Sequence, residues 1–457
     1  MRKTILILLF SVSVYNLYSQ QDVLLKRFKY RVSNYRAINL NVGGDGQLYN
    51  RDFVTGDHNS NSLSGDLGGS FYKIKSTDKV LLNISANAGL NFNSGKAKDA
   101  TSNNKSRSFF ASSQVSVLNK WFREKLFAEL GANLSAAGNG YKYTSVSPAA
   151  AEKNKQNDYT AAINIGIGKG RLENITDMQN ALWLYKTLQE EQRLSRSLTD
   201  NELDELGHTI TLANNTRVLD FRKKTQFILE TTDKFFQQKN VLTANDIRYF
   251  TALNDILFFA SNSQRLSGTE IYIRLTPAIL NASRNEINTS VSTKNENKIL
   301  NKSVLLSAGI NKYLPSNLRH QNNYGFSLRL DYISYHEANK YFLSGSLINQ
   351  FGLNATIKQA GGSLFFQHAI YPNTRTIISF ELQSEAGYQD VDSESGFFGM
   401  ADLFGSLNYF ISYRTRLIGN LGATYQKKIY TYGYYHLLEL MPDFIRLYAN
   451  VGLQVSL

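Results

Sequence analysis

The chain has 457 residues, no cysteine, 27 Tyr, 27 Phe and 31 Gly against only 5 Pro, and a formal net charge of +13 at pH 7. The lack of cysteine excludes disulfides, thiolate metal sites and a lipid-modified N-terminal cysteine. Mean hydropathy is negative, and after the first residues no apolar run reaches the length of a membrane-crossing helix. That excludes a helical membrane protein and leaves a barrel open, because alternating strands keep mean hydropathy low.

Met1 to Ser19 reads as a signal peptide. Arg2 and Lys3 give a positive start, Ile5 to Val14 a short apolar core, and Leu17-Tyr18-Ser19 before Gln20 a cleavage context. The core falls short of the roughly 18 apolar residues of a membrane anchor. Residues 20–169 then read as a first block of about six strands, near 37–49, 62–75, 79–93, 107–118, 126–136 and 158–169. The alternation is cleanest from Lys79 to Asn93. Val80, Leu82, Ile84, Ala86, Ala88, Leu90 and Phe92 fall on one face, and Asn83, Ser85, Asn87, Gly89 and Asn91 on the other. The polar face is small and weakly charged, which suits strands with lipid on one side and a wet lumen on the other. Long polar connections (50–61, 94–106, 137–157) alternate with short ones at Ser76-Thr77-Asp78 and Asn119 to Lys125, the pattern of outer loops and periplasmic turns. An even strand count returns the chain to its starting side, so the segment after Lys169 is expected in the periplasm.

Residues 170–267 read as an α-helical insert. Met178, Ala181, Leu182, Tyr185 and Leu188 recur at helical spacing after Thr176-Asp177. Thr199 with Glu202 forms a capping-box pattern ahead of Leu203, Leu206 and Ile210. A third helix is expected over Arg217 to Gln237, with Val218, Phe221, Ile228 and Phe235 inside. Thr243 with Asp246 opens a fourth, which carries Ile247, Phe250, Leu253 and Leu257. Four helices of this length can bury a core of their own.

Strands resume over 268–457, for example Ile271, Ile273, Leu275 and Ile279, and then Phe326, Leu328, Leu330 and Tyr332. Between Tyr341 and Tyr371 the pattern fits two strands or three. Tyr371 to Thr374 and Tyr413 to Arg416 read as short turns, and Tyr430 to Asp443 as the last outer loop. The chain finishes on its most regular strand, Ile445 to Leu457, in which Ile445, Leu447, Ala449, Val451, Leu453, Val455 and Leu457 alternate with polar or small residues. With both ends on one side the strand number is even. The fold expected is an all-β membrane protein, an antiparallel transmembrane β-barrel of about 14 strands (12–16) with an α-helical insert domain.

Such a final strand resembles the closing strand of bacterial outer-membrane barrels, which in that family is also the signal read by the barrel-assembly machinery. Many of those end in an aromatic residue, and this chain ends in Leu457. The whole mature chain resembles outer-membrane β-barrel proteins of the Bacteroidota type. The insert opening Gly168-Lys169-Gly170-Arg171-Leu172-Glu173 and continuing through Thr176-Asp177 is similar to inserts of uncharacterised barrels of that group. The resemblance implies the cell outer membrane, with its lipid and lipopolysaccharide as surroundings and the assembly machinery as a partner at 445–457. It brings no activity with it.

Few residues point to chemistry. Gly166-Ile167-Gly168-Lys169-Gly170 lacks the Lys-Ser/Thr ending of a phosphate loop and reads as small residues closing a strand. His58, His208, His320, His336, His368 and His436 are scattered, and no serine stands out as a nucleophile. Asp390, Asp392 and Glu394 read as solvated loop charge. No catalytic residue, cofactor or metal is therefore expected, and an exported chain whose longest basic run is Arg222-Lys223-Lys224 is not a nucleic-acid binder. The insert is near neutral, so the basic surplus belongs to the strands. It suits either an anion-preferring lumen or contact with anionic lipid head groups. Two functions remain: an anchoring or docking component of an envelope complex acting through helices 170–267, or a pore or transport protein passing small solutes, with anions among the candidates.

Overall fold

The strands form where apolar and polar residues alternate, and they run well beyond those stretches. The computed structural model describes residues 20–53, 56–98, 103–146, 149–218, 220–259, 264–392, 394–412, 415–427, 429–432, 438–441 and 444–455. Residues 1–19, where a signal peptide is expected, and the terminal Leu457 lie outside them.

Six strands precede the helices: β1 (Val32–Phe53), β2 (Gly56–Ser76), β3 (Val80–Lys98), β4 (Asn103–Arg123), β5 (Leu126–Val146) and β6 (Ala149–Asn174). After them come β7 (Leu266–Asn288), β8 (Thr293–Pro315), β9 (His320–Leu343), β10 (Ser346–Asn373), β11 (Thr376–Val391), β12 (Glu394–Phe410) and β13 (Thr415–Lys427). A small hairpin, β14 (Ile429–Tyr432) with β15 (Leu438–Met441), precedes the last strand, β16 (Phe444–Val455). The main sheet has 14 strands in the order β1 to β13 and then β16, every neighbour antiparallel and consecutive. This is the expected strand number, with an even count on each side of the insert. The sheet ends on β1 and β16, and no pairing joins these two among the described residues.

Three expectations are corrected. The stretches 50–61, 94–106 and 137–157 are not long loops. Their described parts are hairpin arms that continue the ladder, as in Asn59↔Lys98, Lys96↔Lys105 and Lys142↔Lys153. No apolar period marks these arms in the sequence. The stretch between Tyr341 and Tyr371 belongs mostly to one strand, β10, of 28 residues. The expected outer loop from Tyr430 to Asp443 carries the β14–β15 hairpin.

Register and pleat put successive side chains on opposite faces, and the outward face carries two aromatic belts. Trp121, Tyr324, Phe366 and Tyr409 lie towards the end where the helices attach. Phe92, Phe109, Tyr159, Tyr332, Tyr388 and Tyr425 lie about ten residues further along their strands. Between the belts the outward residues are Val115, Leu130, Ile163, Leu328, Leu382 and Leu421, all exposed to the surroundings. A soluble protein would cover such a band, whereas lipid covers it in a membrane barrel. No described helix is long and apolar enough to cross a membrane.

Five helices complete the chain: α1 (Gln20–Arg27), α2 (Thr176–Glu190), α3 (Asp200–Asn215), α4 (Phe221–Gln238) and α5 (Ile247–Phe259). The capping box at Thr199 and Glu202 is present, each side chain bonding the other's backbone N–H. At α5 the capping oxygen is that of Asp246, which accepts from Tyr249 N. Ile228 and Phe235 are buried, with Phe236 beside them at 0% exposure. Helix α1, which the sequence pattern groups with the strand block, belongs to the helical body instead. Its Leu24 and Leu25, with Phe28 just beyond, share one core with Met178, Leu206, Ile210 and Leu253. Each fully buried apolar side chain there contributes about 1.5–3 kcal/mol. Helix α2 is buried from Thr176 through Tyr185, because α1, α3 and α5 surround it.

Candidate functional site at the helix-covered end of the barrel

The helical body lies across one end of the sheet and is tied to it at several points. Arg265 is the central tie. It sits where the helices hand back to β7 and is 0% exposed. Its Nε donates to Gln321 Oε1 at 2.7 Å, its Nη1 to Leu318 O at 2.9 Å and an Nη2 proton to His320 O at 2.8 Å. The guanidinium also stands over the Tyr371 ring at 5.0 Å. Its backbone N–H donates to Thr176 Oγ1, and its carbonyl accepts from Ile175 N. One side chain thus joins both ends of the insert to the β8–β9 turn. Only a planar, permanently charged fork has enough donors to satisfy this many oxygens at once.

Further ties lie around the rim. Arg31 bridges Glu173 at 3.0 Å and Asp78 at 2.8 Å, between the start of β1, the end of β6 and the β2–β3 turn. That cation holds the Asp78 carboxyl below its usual range. On the other side Arg375, in the β10–β11 turn, bonds Asp255 of α5 at 2.5 Å. Within the helices, burial pushes the Asp177 carboxyl up, opposed by hydrogen bonds from Thr211 and Asn214. Burial likewise raises the Tyr30 phenol to about 12.

Inside the barrel, just above the helices, lies a four-charge cluster. Lys120 of β4 contacts Glu270 of β7 at 2.7 Å and Glu129 of β5 at 3.3 Å. Arg274 of β7 grips both oxygens of Glu129, at 2.6 and 3.0 Å. Strand β6 separates β5 from β7, and the contact is possible because Gly166 faces both Glu129 and Arg274. At Gly168 a Cβ would lie 2.4 Å from the Phe127 ring, and Gly170 has φ +97°. The Gly166-Ile167-Gly168-Lys169-Gly170 run is therefore strand with a cleared inner face. The sequence pattern places these glycines correctly but carries no sign of the charges they make room for.

A hydrogen-bonded chain leads from the helices up the inner wall. Arg265 donates to Gln321, Gln321 to Asn323 at 2.8 Å, Asn323 to Gln367 at 2.6 Å and Gln367 to Glu381 at 3.2 Å. A cavity of about 490 Å³ opens into the lumen beside the helical attachment, lined by Tyr30, Tyr72, Asn83, Ser116, Leu118 and Asn174 among others.

Register also locates the charge. Facing the lumen are Asp45, Asp66, Glu152, Asp158, Glu286, Asp331, Glu337, Glu381, Glu385 and Asp402, against Arg284, Arg329, Arg416 and Arg446 outside the cluster. The inner face is acid-rich, and the basic surplus lies on the outward face and at the rims. An anion-preferring lumen is therefore not what the charges build.

The scattered histidines mostly stay apart. His336 faces outward against Asn354, within hydrogen-bond contact, while its neighbour Glu337 faces inward and accepts from Tyr335 at 2.6 Å. His320 and His368 do meet across β9 and β10, their rings 5.6 Å apart. Strand pairing brings them together, and sequence spacing carries no sign of it. His208 lies on α3. The side chains of His58 and His436 fall outside the described residues, as does that of Glu394. Asp392 accepts from Thr356 N in the turn after β11. Among the described residues no group of three or more His, Asp or Glu side chains is arranged to hold a metal ion.

Fold and charge together define an antiparallel transmembrane barrel whose one end is covered by its own helices. No protein-family model and no curated protein matches the chain. Among solved structures it is similar to the toluene transporter TodX of Pseudomonas putida, at 8% identity over 91% of this chain and 90% of that one, with a TM-score of 0.28. It is also similar to the translocator domain of the autotransporter NalP from Neisseria meningitidis, at 9% identity over 96% and 94%, TM-score 0.23. The transport unit of the autotransporter AIDA-I from Escherichia coli gives 12% identity over 98% and 94%, TM-score 0.21. At these scores no site superposes, and no residue role is carried over from them.

Proposed function

We propose that this is an outer-membrane barrel that serves as an anchor, with the helical body facing the periplasm, closing that mouth and docking other envelope components. The observation that carries the reading is the fixed seat of the helices: Arg265 buried among the carbonyls of the β8–β9 turn, with Arg31 and Arg375 tying opposite parts of the rim. A body held at this many points is a rigid platform. Leu212, Ile247 and Phe250 remain exposed on its helices, at 66%, 79% and 40%, and offer apolar contacts to a partner. On this reading the end strand β16 is also what the barrel-assembly machinery engages.

The second reading is passage of small solutes, favoured by the polar inner wall and the cavity beside the helices. The acid-rich wall argues for cations or neutral molecules. Purified protein in planar bilayers separates the two. The anchoring reading expects no steady conductance from the intact chain, and stable conductance steps would reject it. Co-purification from native membranes, with and without residues 174–264, tests docking directly. Unchanged partner recovery after the deletion would remove that role.

A further inference from the structure

The outward face holds a basic row that the fold leaves without counter-charge. At the far edge of the apolar band, Arg107 of β4 pairs with Lys142 of β5, and Lys142 with Lys153 of β6. Lys155 stands one outward position nearer the band, opposite Gly140. All four side chains are exposed, and none has an ion-pair partner among the described residues. Direct cross-strand neighbours sit about 5 Å apart, where like charges repel. Three cations in one row therefore oppose the pairing that creates them, unless an anion lies across them.

Immediately below the row, towards the middle of the band, the same outward face forms a groove of about 1320 Å³. Leu90, Phe92, Phe109 and Tyr159 form its walls, and Ala111 and Gly138 leave its floor low. Phe92, Phe109 and Tyr159 belong to the aromatic belt, so the groove lies at the depth of lipid chains and the cations at the depth of head groups.

We infer that the outward face of β3 to β6 is a binding site for a phosphorylated membrane lipid, its phosphates on Arg107, Lys142 and Lys153 and its acyl chains in the groove beneath. Phosphate fits because it brings several acceptor oxygens to one arginine fork and two ammonium groups, with charge to balance the row. A water-soluble acidic protein would match the charges but leave the groove uncovered. The inference rests on the strands crossing a membrane and not on the docking role, so it stands or falls separately from the conductance and co-purification tests.

The test uses the full mature chain in zwitterionic detergent, titrated with diphosphoryl lipid A, monophosphoryl lipid A, phosphatidylcholine and inorganic phosphate. Native mass spectrometry reports bound lipid, and thermal unfolding reports stabilisation. The diphosphoryl lipid is expected to bind at least tenfold more tightly than phosphatidylcholine and to raise Tm, with the monophosphoryl form between them. The triple variant Arg107→Gln, Lys142→Gln, Lys153→Gln should lose that preference, while Lys298→Gln on β8 keeps it. Without lipid the triple variant should melt higher than the parent, because the repulsion is gone. If it assembles poorly, Arg107→Gln alone is expected to weaken binding several-fold. Equal binding by parent and variant would overturn the inference. So would equal binding of the phosphorylated lipid and phosphatidylcholine, or stabilisation by inorganic phosphate that matches the lipid.

Discussion

Arg265 shows how much one side chain can organise. Replacing it with Met removes the donors that satisfy Leu318 O, His320 O and Gln321, leaving buried acceptors that cost about 1–3 kcal/mol each. Arg265→Met should therefore destabilise the seated helices by about 3 kcal/mol or more, read as a lower denaturant midpoint in the fluorescence of buried Trp183. Asp177 gives a pH signature in the same body. Its folded carboxyl is pushed above the ordinary value of about 3.9, so the fold favours the protonated form. Its contribution is fully present below that ordinary value and declines as pH rises towards the raised one. Asp177→Asn should flatten this part of the profile. Glu202 runs the other way, held at about 2 by Arg196 and the Thr199 cap. Its contribution is present above the ordinary carboxylate range and is lost as pH falls towards 2. Apart from the local Thr199 and Glu202 pair, these partners are not visible in sequence, because Arg265 and Gln321, or Lys120 and Glu270, meet only once strands far apart in the chain have been placed.

At the scale of elements, much was legible. Alternation in Val80 to Phe92 and in Tyr159 to Ile167 gave strand and face together, and Thr199 with Glu202 gave the start of a helix. Thr199→Ala should cost about 1 kcal/mol in the same fluorescence measurement. What escaped was strand without an apolar period, as in Asn103 to Ser108, and helix whose core lies elsewhere, as in Gln20–Arg27. Gly168→Val is expected to block barrel assembly, since the new side chain would strike Phe127 and the Ile271 carbonyl. Loss of the heat-modifiable form on a gel would show it. The end strands make their own prediction. Unpaired N–H and C=O groups in lipid cost several kcal/mol each, so β1 and β16 should pair with each other in the membrane. Cysteines placed singly at Ile38, Leu40 or Val42, each against one at Val451, should give an intramolecular disulfide for at least one pair. Only intermolecular dimers would mean that the seam joins two copies.

For the whole molecule, the distribution of charge was the least legible property. Composition gave a basic chain, yet the register sends most strand lysines outward and most strand carboxylates inward, so net charge and lumen charge have opposite signs. If the helices are removed and a pore opens, its reversal potential in a salt gradient should indicate cation preference, and an anion-selective pore would contradict the register.

Helix α1 adds a consequence for assembly order. The earliest described residues to be made complete a core whose remaining walls come only after six strands have been synthesised. Leu24, Leu25 and Phe28 must therefore wait, still greasy, until that material arrives. The first half of the polypeptide then closes into a loop clasped at its base. Because distant contacts form slowly, a holding factor that shields this leading segment during export would be expected to matter more than one acting on the final strand.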